Sequence, residues 1–336
     1  MIKVSVIIPT YQRKQSVLRL LDALSSQTFP SNEFEVIISI DGSTDGTKEV
    51  VDNFKASFEL RSIWESNAGK SSACNKGIKD ARGELLIILD DDMEPSPELV
   101  QAHFTAHQGH TKIGVIGAAP IKAEEYSPLV VRYIADKFNS HIKKISEPGF
   151  NLRIWDFYGG NFSIGRKLML DVGLFDENFK VYGYEDVELV NRLLKMGVKI
   201  IFRQDALCIQ HYEDDLRGQG YKTINSGNNA VQLVSSQPET FNELKLIEYN
   251  FTGWKWRSLR LTLIWLSILI PVTTDIVISL INLFEKCNPK MHRRFYALAM
   301  DYFFWLGVWT ALRRDKNKQL LSKIKSCKKP QKCPTP

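Results

Sequence analysis

The stretch "GELLIILDDDMEPSP", Gly83 to Pro97, decides the fold. Leu85-Leu86-Ile87-Ile88-Leu89 is a short unbroken apolar run, the pattern of a strand buried on both faces. Asp90, Asp91 and Asp92 follow at once. Adjacent carboxylates repel one another, and burying any of them unpaired is costly. The end of this strand is therefore a place suited to positive charge.

Outward from it the same grammar repeats. Val4–Ile8 is an apolar strand closed by Pro9, and Gln15–Ser26 has helical spacing through Val17, Leu18, Leu21 and Leu24. Phe34–Ile40 is a second strand that runs into the turn-rich "DGSTDGT". Lys48–Phe58 returns to helical spacing, Glu59–Trp64 reads as a third strand, and "NAGKSSACNKG" opens another helix. After the Asp cluster, Ser96–His107 reads as a helix with Ser96 as N-cap, and Ile113–Ala118 as a fifth strand. The stretch from Ala119 to Phe157 reads as irregular and polar. Strands alternating with helices imply an α/β fold with a mostly parallel sheet flanked by helices. Ligands of such sheets bind outside the carboxyl ends of the strands. Asp41 and Asp90–Asp92 stand at two such ends.

The chain has 336 residues, 44% hydrophobic and 24% charged, as a globular protein does. Its formal charge of +6 is uneven, with basic residues dominating from Lys286 onward, including Arg293-Arg294, Arg313-Arg314 and Lys328-Lys329. Such an imbalance fits an anionic surface, lipid or nucleic acid, or a solvated tail. Five scattered cysteines without a CxxC pair indicate neither a disulfide framework nor a zinc site. The opening "MIKVSVIIP" lacks the pattern of a secretory signal, which places the main domain in the cytoplasm.

Two nucleotide motifs fail on inspection. Gly69-Lys70-Ser71 looks like the end of a P-loop, but Trp64 stands where its first glycine belongs. "IIPTYQR" takes the place of a dinucleotide-binding glycine fingerprint after the first strand. An aspartyl-phosphate enzyme or receiver domain also carries acids at strand ends, but on an early strand rather than the fourth. That reading stays as a minor alternative beside a divalent cation site, which is weighed against the plainer reading of a solvated acidic turn. Mg²⁺ and Mn²⁺ prefer oxygen ligands and commonly bind through one or two carboxylates plus substrate phosphates. In extended backbone, residues at i and i+2 point the same way, so Asp90 and Asp92 can face one ion.

Six stretches in order, "VSVIIPTYQR", "DGSTDGT", "NAGKSSACNKGI", "LDDDMEPSP", "GGNFSIGR" and "YGYEDVEL", resemble the successive motifs of family 2 glycosyltransferases. The resemblance covers roughly residues 3–212 and implies a GT-A (Rossmann-like) fold, a nucleotide-sugar donor, probe-worthy first as a UDP-sugar, and an Mn²⁺ or Mg²⁺ cofactor. It implies Thr10, Tyr11 and Arg13 beside the base or ribose, with Asp41 accepting a hydrogen bond from the base. Asn67, Gly69, Lys70 and Asn75 match the stretch that lines the nucleotide. Asp92 takes the metal, while Asp90 and Asp91 are shared between ribose and metal. His211 in "CIQHYEDD" stands where a further metal ligand falls in related enzymes, and a merely structural histidine is the alternative. Asp186 is implied as general base, with Glu185 orienting the acceptor or the base. The helical spacing after Asp186 puts it near a helix N-terminus, which favours its ionised form. "GGNFSIGR" would shape the acceptor side through Gly159, Gly160 and Asn161. "DDLRGQGYK" reads as a mobile loop over the donor diphosphate, with Arg217 and Lys222 supplying charge and Gly218 and Gly220 flexibility. The plain reading of Ala73 and Gly77 is helix packing.

The apolar C-terminal third separates from this domain, giving a GT-A domain over 1–230, a helical region over 231–318 and a disordered basic tail over 319–336. Leu261–Phe284 and Phe295–Leu312 approach bilayer length but contain Pro271, Asp275, Asn282 and Asp301. A spanning hairpin would export Lys286, Lys290, Arg293 and Arg294, against the positive-inside tendency. Two amphipathic helices on the cytoplasmic face of the membrane, over 254–314, keep every basic cluster at anionic headgroups; a spanning hairpin and a packed soluble subdomain are the other readings. The function expected is transfer of a sugar to a glycan or lipid-linked acceptor in cell-surface polysaccharide or glycolipid synthesis, without nucleic acid as partner. An inactive nucleotide- or carbohydrate-binding scaffold would have lost Asp92 or Asp186, and a sugar-nucleotide pyrophosphorylase would need a Gly-rich, Arg-bearing loop where "PTYQRKQS" stands.

Overall fold

The computed structural model describes residues 1–270, 272–287 and 292–327. Pro271, Lys290 and the last nine residues of the expected tail lie outside them. The chain divides into two compact units. The first comprises Met1–Ser127, Ile134–Val181 and Glu185–Glu213; the second Pro128–Tyr133, Tyr182–Tyr184 and Asp214 onward. The division therefore falls at 213 rather than the expected 230.

The first unit opens with β1 (Val4–Thr10), α1 (Lys14–Leu24), β2 (Phe34–Asp41), α2 (Thr47–Asn53), β3 (Glu59–Glu65), α3 (Lys70–Asp80) and β4 (Leu85–Leu89). Then come β5 (Met93–Pro95), α4 (Leu99–His107), β6 (Ile113–Gly117) and α5 (Leu129–Ile145), whose first residues count with the second unit. β7 (Asn161–Gly165), α6 (Arg166–Asp171), α7 (Glu185–Lys195), β8 (Lys199–Arg203) and β9 (Cys208–Gln210) complete it. Seven strands form one sheet in the order β3-β2-β1-β4-β7-β6-β8, and β5 pairs with β9 in a small second sheet. β1, β2, β3 and β4 are mutually parallel, as are β6 and β8; β7 runs antiparallel between β4 and β6. All residues of β1, β2 and β4 are buried, as central strands covered on both faces require. Val6, Ile8, Val36, Ile38 and Ile87 pack with Val17, Leu20 and Leu21 of α1 in the core on one face. This is the α/β layering the apolar runs predict.

Two local expectations are corrected. α4 begins at Leu99, whose N–H bonds to the Ser96 carbonyl at 3.1 Å, so Ser96 contributes its backbone and no side-chain cap. Within the stretch read as irregular, α5 forms a helix of 17 residues that buries Val130, Val131, Tyr133, Ala135, Ile142 and Ile145.

The second unit is helical: α8 (Leu216–Ser236), α9 (Trp254–Leu269), α10 (Thr273–Cys287), α11 (His292–Arg314) and α12 (Lys318–Ser326). The "DDLRGQGYK" loop is in fact the start of α8. Asp215 caps it, accepting from the Gly218 N–H at 2.7 Å, and a Cβ at Gly220 would lie 3.2 Å from the Phe303 ring. Gly220 serves close packing. The effect is strongest where α8 meets α11: a Cβ on Gly307 would stand 1.9 Å from the Ile224 carbonyl oxygen, and one on Gly227 2.1 Å from that of Phe304. The two backbones touch, and only hydrogen fits between them.

α11 is, among the described residues, the one helix long and apolar enough to cross a bilayer. Most of it is interior to the unit, with Tyr296, Tyr302, Phe303, Trp305 and Val308 buried. Asp301 on it accepts from Arg260 and from the Trp256 indole, each at 2.8 Å, and Arg260 is fully buried. An acid that would be expensive in lipid is thus an internal ion-pair partner; burial pushes its pKa up, but Lys245, Trp256 and Arg260 outweigh that and lower it. α12 replaces the first part of the expected disordered tail, capped by Asn317 and anchored by buried Leu320 and Ile324.

Candidate active site

The acid rim forms where the carboxyl ends of β1, β2 and β4 meet loops from the later half of the first unit. β4 ends at Leu89 because Asp90 turns out of the sheet, its N–H still bonded to the Gly160 carbonyl at 3.0 Å. Its carboxylate pairs with Lys70, the first residue of α3, at 2.5 Å. Burial alone would pull the Lys70 pKa down, but Asp90 and Glu185 beside it hold it well above the usual range. A fixed cation is therefore present among the carboxylates.

Asp91 turns the other way and accepts from the buried Thr10 hydroxyl at 2.7 Å. Burial raises its pKa to about 6, opposed by Arg13 and the Thr10 bond and reinforced by Asp92 and Asp90. Arg13 thus belongs with the acid rim. Tyr11 is 51% exposed at the rim's edge. The next residue, Gln12, has a left-handed φ of 54° and exchanges side-chain bonds with Thr44 at 3.0 and 3.2 Å. A non-glycine residue held there marks a backbone constrained by its surroundings.

Asp41 ends β2. Its carboxylate accepts from the Asn67 amide at 3.0 Å, the Ala68 N–H at 2.7 Å and the Gly69 N–H at 3.0 Å. Asn67, Gly69 and Asp41 are one unit: the acid folds the loop that starts α3, leaving about one of its four lone-pair sites. Asn75 does not join them. It is buried, with its amide donating to the Phe175 carbonyl and Glu177 at 2.9 Å and its oxygen accepting from the Phe175 N–H at 2.9 Å. The donor contact expected of it gives way to a structural tie.

Asp186 lies in the first turn of α7, directly after Glu185, which is buried. Its oxygens accept from the Gly159 N–H at 3.1 Å and its neighbour Val187's N–H at 2.8 Å. Burial first, and the Glu185 charge second, raise its pKa to about 7 against the pull of Lys70. The two glycines explain how the carboxylates come together. A Cβ at Gly160 would sit 2.6 Å from an Asp90 oxygen, and one at Gly159 3.3 Å from the Asp186 Cβ. They make room for catalytic-type acids, whereas the next residue is not part of the surface. Asn161 is fully buried, donating to the Ala118 and Ala206 carbonyls at 3.1 and 2.9 Å and bonded to His103 at 2.9 Å. The acceptor contact expected of Asn161 is thereby corrected.

That amide fixes a whole network. Its nitrogen is spent on carbonyls, so its oxygen accepts from His103 Nε2–H. His103 Nδ1 then accepts from the Ser163 hydroxyl at 2.7 Å, and Ser163 accepts in turn from His107 Nε2–H at 2.9 Å. Burial lowers both histidine pKa values to about 4, so both rings are neutral at pH 7.

The pairing of β5 with β9 carries the remaining candidates. Asp92 is nearly buried; its carbonyl accepts from the His211 N–H at 2.8 Å and its carboxylate from the Gln210 amide at 3.2 and 3.3 Å. The His211 ring is bonded through Nε2 to Glu94. Gln210 and Glu94 were not anticipated, although the two-residue period from Asp92 to Glu94 is legible in the sequence. Among the described residues, no three His, Cys, Asp or Glu side chains form a ready-made cage for a metal. Asp92 and His211 flank the paired ends of β5 and β9, and a carboxylate with an imidazole is a donor set that suits a hard cation taking its other ligands from a diphosphate once His211 leaves Glu94. Arg217, expected at the donor, lies on α8 in the second unit and pairs with Asp275 at 2.7 Å.

Carboxylates at the ends of parallel strands, with an acid at a helix start beside them, are what the comparisons with known proteins have to match. The model of the family "Glycosyl transferase family 2" matches residues 5–174, and that of "N-terminal domain of galactosyltransferase" residues 140–213. The chain belongs to glycosyltransferase family 2. It is 29% identical over 284 residues to the uncharacterized glycosyltransferase YfnE of Bacillus subtilis, covering 69% of this chain and 72% of that one. Its fold matches that of a mannosyltransferase from Pyrobaculum calidifontis in complex with GDP-Man and Mn²⁺, with a TM-score of 0.59, 19% identity and coverage of 92% and 87%. It also matches residues 1–349 of Staphylococcus aureus TarS in complex with UDP-GlcNAc, with a TM-score of 0.54, 16% identity and coverage of 94% and 92%. At such identities the structures establish a shared GT-A fold, and the expectation drawn from the six motifs is borne out to that extent.

Proposed function

We propose that the protein is a metal-dependent, inverting glycosyltransferase that passes a sugar from a UDP-sugar to a hydroxyl of a glycan or lipid-linked acceptor in cell-surface polymer or glycolipid synthesis. The observation that carries the reading is Asp186: a desolvated carboxylate with a pKa raised to about 7, held by two backbone N–H groups. A base must be ionised near the working pH and still basic enough to take a proton, and this environment meets both needs. Each of its oxygens keeps a lone pair for the acceptor hydroxyl. As that oxygen attacks the anomeric carbon, its proton passes to Asp186 and the bond to the diphosphate breaks on the opposite side, inverting the configuration. Glu185 and Lys70 set the charge around the base. Asp41, with one lone-pair site left, would accept from the base of the nucleotide, Tyr11 would cover it, and Asp90 or Asp91 would hold the ribose. A divalent cation held by Asp92 and His211, Mn²⁺ or Mg²⁺, would neutralise the leaving diphosphate. The uridine assignment is supported by the TarS complex with UDP-GlcNAc, and the cation by the mannosyltransferase complex with Mn²⁺.

Titration calorimetry of UDP with Mn²⁺, with Mg²⁺ and with EDTA, on wild type and Asp92→Ala, tests this. Metal-dependent binding that Asp92→Ala loses is the expected result. Folded protein that binds UDP equally well in EDTA would overturn the metal role, and failure to bind UDP at all would overturn the uridine assignment.

A further inference from the structure

The helix α10 carries its apolar stripe on the outside. Ile276, Leu280, Leu283 and Phe284, spaced i, i+4, i+7 and i+8, are each about half exposed, while Thr274 and Ile278 on the other side are buried. α9 extends the exposed set through Trp265 at 62% and Leu269, with Ile270 and Val272 following in the connection. Outward apolar side chains in this number mark an interaction surface.

Its charges say what covers it. Both acids of α10 are paired, Asp275 with Arg217 at 2.7 Å and Glu285 with the Tyr296 hydroxyl at 2.6 Å, and at about 100° per residue both lie off the face of Ile276, Leu280 and Leu283. No carboxylate therefore stands in the stripe. At one margin Phe284 stacks on Phe295 at 5.4 Å, which brings the exposed Arg293 and Arg294 at the start of α11 to the end of α10. At the start of α9, exposed Lys255 lies 5.8 Å from the Trp254 ring. Trp254 and Trp265 are eleven residues apart, three helical turns, and so share a face. Apolar side chains with exposed tryptophans among them and cations beside them complement acyl chains beneath anionic headgroups. A second copy of the chain fits worse, because a symmetric contact brings like-charged margins into one interface.

We propose that the outer face of α9 and α10 inserts shallowly into an anionic lipid leaflet, such as the one facing the cytoplasm, while α11 stays inside the protein. This differs from two surface-lying apolar segments, since Phe295–Leu312 supplies the interior of the unit instead. The proposal is independent of the catalytic reading.

The full chain is spun with vesicles of phosphatidylcholine alone and with about one-third phosphatidylglycerol. The wild type is expected to pellet with the anionic vesicles, and less so at high salt. Leu280→Asp with Phe284→Asp should weaken partitioning about tenfold or more, and Arg293→Glu with Arg294→Glu should abolish the preference for anionic lipid. Quenching of wild-type tryptophan fluorescence by brominated acyl chains reads insertion without any variant. No pelleting and no quenching, or pelleting unchanged in Leu280→Asp with Phe284→Asp, overturns the proposal. So does a dimer in light scattering that the same double variant dissociates without lipid. UDP binding measured alongside keeps the two readings apart, since it depends on neither vesicle.

Discussion

At the residue scale, Asp186 and Lys70 form a balance that the order of residues alone does not reveal. Burial and Glu185 push the Asp186 proton on, and Lys70 pulls it off. Asp186→Asn should therefore lower kcat about a thousandfold with little change in donor binding, as loss of a general base does. Activity in the wild type should fall as pH drops through about 7, when the base is protonated. Lys70→Met removes the cation that lowers that pKa, so the acid limb of the rate profile should move to higher pH. A limb that stays in place would separate Lys70 from the base. The acids themselves were legible, because carboxylates placed directly after buried runs have few uses. The roles of Asn75 and Asn161 were not. A buried amide and a ligand-binding amide are the same letter, and the partners that decide between them, Phe175 for one and His103, Ala118 and Ala206 for the other, lie 43 to 100 residues away.

At the element scale, β4, β7 and α4 are held in register by polar bonds as well as apolar contact. Asn161→Ala would leave the Ala206 carbonyl and the His103 N–H without their Asn161 partner, and the Ala118 carbonyl with its Cys208 N–H bond alone, a loss of about 3 kcal/mol. Denaturant unfolding should show that loss, while the acceptor KM of the remaining folded enzyme stays unchanged; a raised KM without destabilisation would restore Asn161 to the acceptor site. Strands were read well because β1, β2 and β4 announce themselves by composition. The insertion of β7 antiparallel between β4 and β6 has no local signature, since pairing direction depends on chain far away. α5 does not stand out in the sequence although its apolar spacing is present, because polar residues interrupt it and set the character of the stretch. α8 hides for a different reason: Gly218 and Gly220 look like hinges in the sequence, whereas the Gly218 N–H takes the Asp215 cap and Gly220 lies against the Phe303 ring.

At the scale of the whole molecule, buried groups of opposite kind set the response to acid. His103 and His107, with pKa values lowered to about 4, take up protons mainly when unfolded, so their share of stability is complete above pH 6.5 and fades as pH falls toward 4. Asp91 and Asp186, raised to about 6 and about 7, are protonated first in the folded state, so their share moves the other way: the fold gains as pH falls from 7 toward 4. The two trends oppose each other across that window. Thermal melts of the wild type should change little between pH 7 and 5. Asp186→Asn, lacking one of the compensating acids, should melt higher than wild type at pH 8 and lose stability more steeply on acidification. Parallel melting curves for the two proteins would sink this account. Division of the chain into an α/β unit and a helical one was readable from its change in composition. The exact boundary was not, because α8 begins in polar, glycine-rich sequence.

The chain of bonds from His107 through Ser163 and His103 to Asn161 has a single sense of donation, and this gives the protein an internal reporter. One imidazole carries its proton on the nitrogen that faces Asn161, the other on the nitrogen that faces Ser163. Nitrogen-15 shifts of the two rings should therefore show neutral Nε2–H tautomers, with the His103 proton exchanging slowly with solvent. A magnetic resonance experiment on labelled histidine would thus follow the docking of α4 on the sheet from two lines, with no substrate known and no assay in hand.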